Sequence, residues 1–224
     1  MQKRSVGQPR WRKQKLQFLP NKEDSVKLGT KSLLWGAHAF YLHPFMVARG
    51  WWDLWGAPRD PKLWICFLLH DIGYLGLDEM DGEGSENHVR LGAEIVRWLC
   101  GDRWADECYR HSRLWCRLNG RTISRLCLAD KMAFVLTPAW LYLPMAKASG
   151  ELQEYMDRSR DPKQLASYSV EELRLIRSGR PSEWLQGLQM FTNRWVQAQV
   201  MTNPVVFAPS NGREGNPPPK PAAG

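Results

Sequence analysis

The sequence predicts an all-α fold, and three observations predict it. Apolar residues recur three and four positions apart through most of the chain, and almost no stretch alternates with period two. Residues that start and stop helices also bracket several of the periodic runs. A composition of 43% hydrophobic and 24% charged residues over 224 positions suffices for one domain with a sizeable core.

Each helix has its own signal. Residues 26–47 and 61–70 carry long apolar stripes. Ser85 is a candidate N-cap for a run over 86–99 that Gly101 can close, and Thr122 for a run over 122–136 that Pro138 ends. Further helices are expected over 103–115, 140–148, 170–177 and 182–201. Pro44 and Pro144 are candidates to kink or end two of these helices. Residues 1–22 mix Lys, Arg, Gln and Pro without period, and residues 204–224 are rich in Pro, Gly and Asn, so both ends are expected to be disordered tails. Residues 23–203 then form the helical domain.

The formal charge of +8 invites a nucleic-acid reading, but most of it lies in the first arm. Lys3, Arg4, Arg10, Arg12, Lys13, Lys15 and Lys22 precede the first acid, Glu23, which leaves 24 basic against 23 acidic residues in the remainder. A basic arm on a nearly neutral body can attract polyanions weakly, although such arms are more often simply solvated. The five cysteines, Cys66, Cys100, Cys108, Cys116 and Cys127, form no close C-x-x-C pair and read as reduced core thiols. With no apolar run of membrane-spanning length, the sequence predicts a cytoplasmic location.

All five histidines fall between positions 38 and 111, and four of them lie on apolar stripes. His38 shares a face with Leu34, Trp35, Tyr41 and Leu42; His70 follows Leu63, Cys66 and Phe67. His88 precedes Leu91, Ile95 and Leu99, and His111 lies among Cys108, Leu114 and Trp115. Asp130, flanked at helical spacing by Leu126, Cys127, Ala133 and Phe134, should bury a carboxylate, as should Asp71 at the end of the run 63–69. A buried carboxylate needs a cation, a metal or strong hydrogen bonds. One histidine on an apolar face is more often a hydrogen-bonded core residue than a ligand. Four of them beside two buried acids favour one or two divalent transition ions, manganese, iron, cobalt or zinc. His43, next to Pro44 and off the stripe, reads as a surface or helix-end residue.

The order His38, His70-Asp71, His88, His111, Asp130 resembles the H…HD…H…H…D pattern of HD-domain proteins. So does the wording around it: HDIG at 70–73, H-x-x-x-G-A-E-I from His88 to Ile95, and L-A-D-K from Leu128 to Lys131. The resemblance covers about residues 33–145 and implies an HD-type helical bundle. It also implies that His38, His70, Asp71 and Asp130 hold one metal and that His88 and His111 hold a second, with Asp71 bridging. One departure is visible: where many binuclear members carry Lys three residues after the Asp, this chain has Tyr74, which can still donate a hydrogen bond.

Two metals sharing a carboxylate suit hydrolysis of phosphoesters by activated water, so the expected activity is that of a metal-dependent phosphohydrolase or phosphodiesterase. The expected substrate is a small phosphorylated compound, a nucleotide or a related ester, with Asp71, His70 and Tyr74 at the reacting centre. Arg110, Arg113, Arg117 and Arg121 surround His111, Arg90 follows His88 and Lys131 follows Asp130; Arg113, Arg121 and Lys131 are the candidates for phosphate contact. The acidic glycine-rich loop 78–86 offers Glu83 and Glu86 at the edge of the site. The Trp-rich segments 35–64 and 138–144 read as core. From Ser149 onward no second site is legible, and the amphipathic run Trp184, Leu188, Phe191, Trp195 suits body packing or a homodimer. Two alternatives compete: an HD-type di-iron oxygenase, which the short spacing from His111 to Asp130 disfavours, and a non-catalytic metal- or nucleotide-binding module, which the complete ligand set disfavours.

Overall fold

The computed structural model describes residues 26–78, 80 and 88–202. The basic arm, the C-terminal tail, Ser85, and Glu83 and Glu86 lie outside the described residues. Twelve α-helices and one 3₁₀ turn make up the described fold, with no strand among them.

The first helices are set by local chemistry. α1 (Leu28–Trp35) stops at Gly36, and α2 (His43–Trp55) starts afresh with Pro44 in its first turn, where a missing N–H is harmless. The single helix expected over 26–47 is therefore two, separated by a turn at 36–42. α3 (Pro61–Leu69) begins where the Asp60 side chain accepts from the Lys62 amide at 2.9 Å. The chain then turns through His70 and Asp71 into the 3₁₀ turn Ile72–Tyr74.

α4 (His88–Cys100) and α5 (Asp102–Tyr109) pack on one another. The helix expected over 103–115 ends at Tyr109, and the chain turns at Arg110 and His111. α6 (Arg113–Leu118) restarts under a Ser112 N-cap. α7 (Arg125–Leu136) is capped by Ser124, whose hydroxyl accepts from the Cys127 amide, two residues later than the Thr122 cap expected from sequence.

α7 is apolar nearly all round, burying Leu126, Cys127, Leu128, Ala129, Met132 and Ala133, as a central helix must. α2 packs along one side of it and the 22-residue α12 (Pro181–Thr202) along another. Between them run α8 (Ala139–Ser149), which tolerates Pro144 in its interior, α9 (Glu151–Arg158), the single turn α10 (Pro162–Leu165) and α11 (Val170–Arg177). α11 starts with a capping box between Ser169 and Glu172.

The core has two main parts. Val47, Trp51, Leu63, Phe67, Val96 and Leu126 join α2, α3, α4 and α7; Tyr142, Met156, Tyr168, Ile176, Trp184 and Leu185 join the C-terminal helices. Phe67 alone, 1% exposed, brings about 2–3 kcal/mol of transfer free energy. Two glycines let backbones meet beside the histidines. A Cβ on Gly92 would fall 2.1 Å from the Leu69 carbonyl oxygen, and one on Gly73 would fall 1.9 Å from that of His88. α4 is thereby pressed against the end of α3 and the His-Asp turn. Among the described residues no single helix is long and apolar enough to cross a membrane.

Candidate metal centre

Five segments deliver the buried donors. His43 opens α2 and points inward; His70 and Asp71 form the turn after α3; Asp130 sits on the inward face of α7; His88 and His111 come from the start of α4 and the turn after α5. Five of these are nearly sealed from solvent, with relative exposures between 1% for His70 and 8% for Asp130, and the His43 side chain is 11% exposed.

They form two groups that share one carboxylate. In the first, His43, His70, Asp71 and Asp130 each offer a ligand atom within 4.8 Å of the others; in the second, Asp71, His88 and His111 do the same. Asp71 Oδ2 lies 3.2 Å from His43 Nε2 and 3.1 Å from His70 Nε2, while its other oxygen, Oδ1, lies 3.2 Å from His111 Nε2. Asp130 Oδ1 is 3.2 Å from His43 Nε2. The Nε2 atoms of His88 and His111 face each other at 3.2 Å.

These distances are short, yet His43 Nε2, His70 Nε2 and Asp71 Oδ2 are buried with no properly aligned hydrogen-bond partner. A buried polar atom left unpaired costs about 1–3 kcal/mol, and three that converge on one space call for a cation that all of them can bind. The opposite ring edges are already committed. His70 Nδ1 donates to the carbonyls of Cys66 and Phe67 at 3.2 and 3.1 Å, and His111 Nδ1 donates to the Cys108 carbonyl. Such backbone acceptors fix the tautomer that leaves Nε2 as a lone pair. Neutral imidazoles and carboxylates are a donor set for divalent transition ions, so the residues fit a metal at the first group and a second at the adjoining one.

Charge balance in the cluster gives the same reading. Burial would push the His43 pKa down, but the close approach and the charges of the Asp130 and Asp71 carboxylates raise it to about 9. Burial holds His70 below its ordinary value despite the pull of Asp71. Burial would also raise Asp71 and Asp130. Instead the histidines hold Asp71 well below the usual range, and Lys131 with His43 does the same for Asp130. Without a metal, a proton on His43 stands where a cation belongs.

The structure places two histidines differently from the sequence expectation. His38, expected as a ligand, is in neither group. It lies in the turn between α1 and α2, and its Nδ1 is taken by Ser32 Oγ at 2.9 Å and Glu151 Oε1 at 3.3 Å. His43, expected as a bystander, lies in the first group. The reason is the helix break at Gly36. On one continuous helix His38 would share the buried stripe, whereas the new helix starting at His43 aims that side chain between α3 and α7.

The cations divide in the same way. Lys131 Nζ lies 2.8 Å from Asp130 Oδ2, on the face of the cluster that opens into a cavity of about 270 Å³. His38, His43, Tyr74, Arg113, Asp130 and Lys131 line it, as do Tyr142, Arg158, Tyr168, Trp184, Phe191 and Trp195 from the C-terminal helices and their connections. Arg113 rests over the Trp195 ring at 5.2 Å. Arg121, expected to contact phosphate, is absent from this cavity and pairs with Asp106 at 2.9 Å. Arg110 is held by Asp106 at 2.7 Å and by the Thr122 and Ile123 carbonyls. Tyr74 stacks on His88 with ring centroids 4.2 Å apart and lies 5.1 Å from His38. The C-terminal half, in which no site was legible, thus supplies part of the cavity lining and the Glu151 carboxylate behind His38. No family model, curated protein or solved structure matches the chain.

Proposed function

We propose that the protein is a metal-dependent hydrolase of the HD type that cleaves a small phosphoester, a nucleotide or a related compound, with activated water. The observation that carries this reading is the double use of Asp71. One of its oxygens faces His43 and His70 and the other faces His111, which is the disposition of a carboxylate shared by two cations. His43, His70, Asp71 and Asp130 would hold one ion and Asp71, His88 and His111 the second. When bound, such a pair lowers the pKa of water and neutralises charge growing on a phosphoryl group.

The chain's own residues supply the remainder. Lys131 and Arg113 place positive charge at the cavity beside the cluster and attract an anionic ester, Arg113 with a planar fork suited to phosphate oxygens. Phe191 and Trp195, partly exposed aromatic residues of the same cavity, would give the organic part of the ester an apolar surface. Tyr74, stacked on His88, holds that imidazole in place.

The test is an anaerobic screen of nucleotides, cyclic nucleotides and simple phosphoesters with manganese, cobalt, iron and zinc, reading released phosphate and nucleotide products. Product release that disappears in Asp71→Ala supports the reading. Silence across the panel, together with substrate-dependent oxygen consumption by the iron-loaded protein, overturns it in favour of the oxygenase.

A further inference from the structure

Behind the cavity lies a second arrangement that the metal groups do not use. Glu151, at the start of α9, is fully buried, and five donors converge on it. Ser32 Oγ donates at 2.6 Å, the Ala37 amide at 3.0 Å, Tyr155 OH at 3.1 Å and His38 Nδ1 at 3.3 Å, and Ser149 Oγ completes the set. Burial would raise its pKa, but His38 and the serine hydroxyls bring it to about 2, so the carboxylate is ionised. Because the Ser32 hydroxyl spends its proton on Glu151, its oxygen accepts from His38 Nδ1 at 2.9 Å, and the Nδ1 proton is fixed from two sides. In the neutral ring Nε2 is then a lone pair.

That nitrogen lies on the far edge of the ring from Glu151. His38 lines the cavity beside His43 and Tyr74, and its side chain is 20% exposed. Nε2 has no hydrogen-bond partner among the described residues and is not sealed off. If the clamp served only to brace the 36–42 turn, the Ala37 amide and the serines would suffice, and no imidazole would need to stand open to the cavity.

We propose that His38, oriented by Glu151, is a ligand-contacting residue of the cavity whose Nε2 accepts a hydrogen bond from a protonated oxygen of the phosphoester or of the phosphate product. This rests on the phosphohydrolase reading above. His38 makes the contact; Glu151 is a positioning residue that acts through it. The pair selects for oxyanions that carry a hydroxyl, since an acceptor rewards such an oxygen and repels a bare one.

Inorganic phosphate and sulfate separate these cases, because near neutral pH phosphate keeps one protonated oxygen and sulfate keeps none. The experiment is a calorimetric titration of the manganese-loaded full-length protein with each ion, with metal content measured in parallel. The wild type is expected to prefer phosphate. His38→Phe, which keeps a ring beside Tyr74 but no acceptor, is expected to retain its manganese and to lose about tenfold in phosphate affinity with little change for sulfate. His38→Gln restores an acceptor and part of the preference. Glu151→Gln, whose amide can donate toward Nδ1 and move the ring proton to Nε2, is expected to lower the preference as well, and it decides the question if His38→Phe does not fold. Unchanged phosphate preference in these variants overturns the inference while leaving the hydrolase reading standing, as does loss of manganese from His38→Phe, which would make His38 a ligand. Failure of the loaded wild type to bind phosphate at all overturns both.

Discussion

His43 Nε2 lies 3.2 Å from Asp71 Oδ2 and equally close to Asp130 Oδ1, so the first residue of α2 joins the turn after α3 to the middle of α7. The contact places three separate helices around one point. It also predicts where the protein is sensitive to substitution, to pH and to metal.

Replacing Asp71 by Ala is expected to remove both ions at once, since both groups use this carboxylate. Metal content should fall to background and phosphoester turnover by at least about a hundredfold, because even outer partners of such ligands matter by 10–100-fold. His88→Ala, which touches one group only, should leave close to one equivalent. Elemental analysis of the two variants side by side checks the difference. Equal loss in both would show that the groups are not separable.

Stability and metal binding should depend on pH in opposite ways. In the metal-free protein the His43 pKa is raised to about 9, so its ion pairs with Asp130 and Asp71 contribute fully below the ordinary histidine value of 6.5 and fade as pH rises toward 9. Asp71 and Asp130 are lowered, so their contribution holds above the ordinary carboxylate value and is lost in acid. A metal must displace the His43 proton, so its apparent affinity should climb by up to about tenfold per pH unit through this range. Denaturation midpoints of apo and manganese-loaded protein between pH 6 and 9 should therefore diverge with rising pH. Curves that stay parallel would contradict the assignment of His43.

Gly92→Ala should damage the site from a distance. The added Cβ would meet the Leu69 carbonyl oxygen at 2.1 Å, backbone that cannot step aside, so α4 must move away from α3 and carry His88 with it. A loss of about 1–3 kcal/mol is expected from overpacking, with the second metal weakened more than the first. Thermal unfolding and metal titration measure both. A variant with wild-type stability would show that α4 is less tightly seated than this contact implies.

Glu151→Ala is expected to destabilise the fold, because it strands Ser32, Ser149, Tyr155 and the Ala37 amide in a buried space, each unsatisfied donor costing about 1–3 kcal/mol. Chemical denaturation reads the change directly. Metal content of whatever fraction folds should stay near wild type, since Glu151 belongs to neither ligand group.

The helical class and most of the donors were legible because burial leaves a periodic trace. His70, Asp71, His88, His111 and Asp130 all interrupt apolar runs, and the structure buries every one of them. α11 falls where its stripe predicted it, over Val170–Arg177, since the Ser169–Glu172 capping box marks its start. His43 was missed because periodicity alone cannot show that a stripe has been cut; the His43-Pro44 pair, a helix start with Pro in its first turn, was the available signal. Glu151 was illegible for a different reason. An acid after Gly150 looks like an exposed helix start, and only the packing of α9 against the 36–42 turn buries it.

The metal assignment is best tested by the manganese content of three proteins, wild type, His43→Ala and His38→Ala, each loaded in excess metal and dialysed without chelator. One to two equivalents are expected in the wild type, nearly the same in His38→Ala, and loss of at least one equivalent in His43→Ala. Full retention by His43→Ala with loss from His38→Ala, or a folded wild type that holds no metal, would refute the assignment.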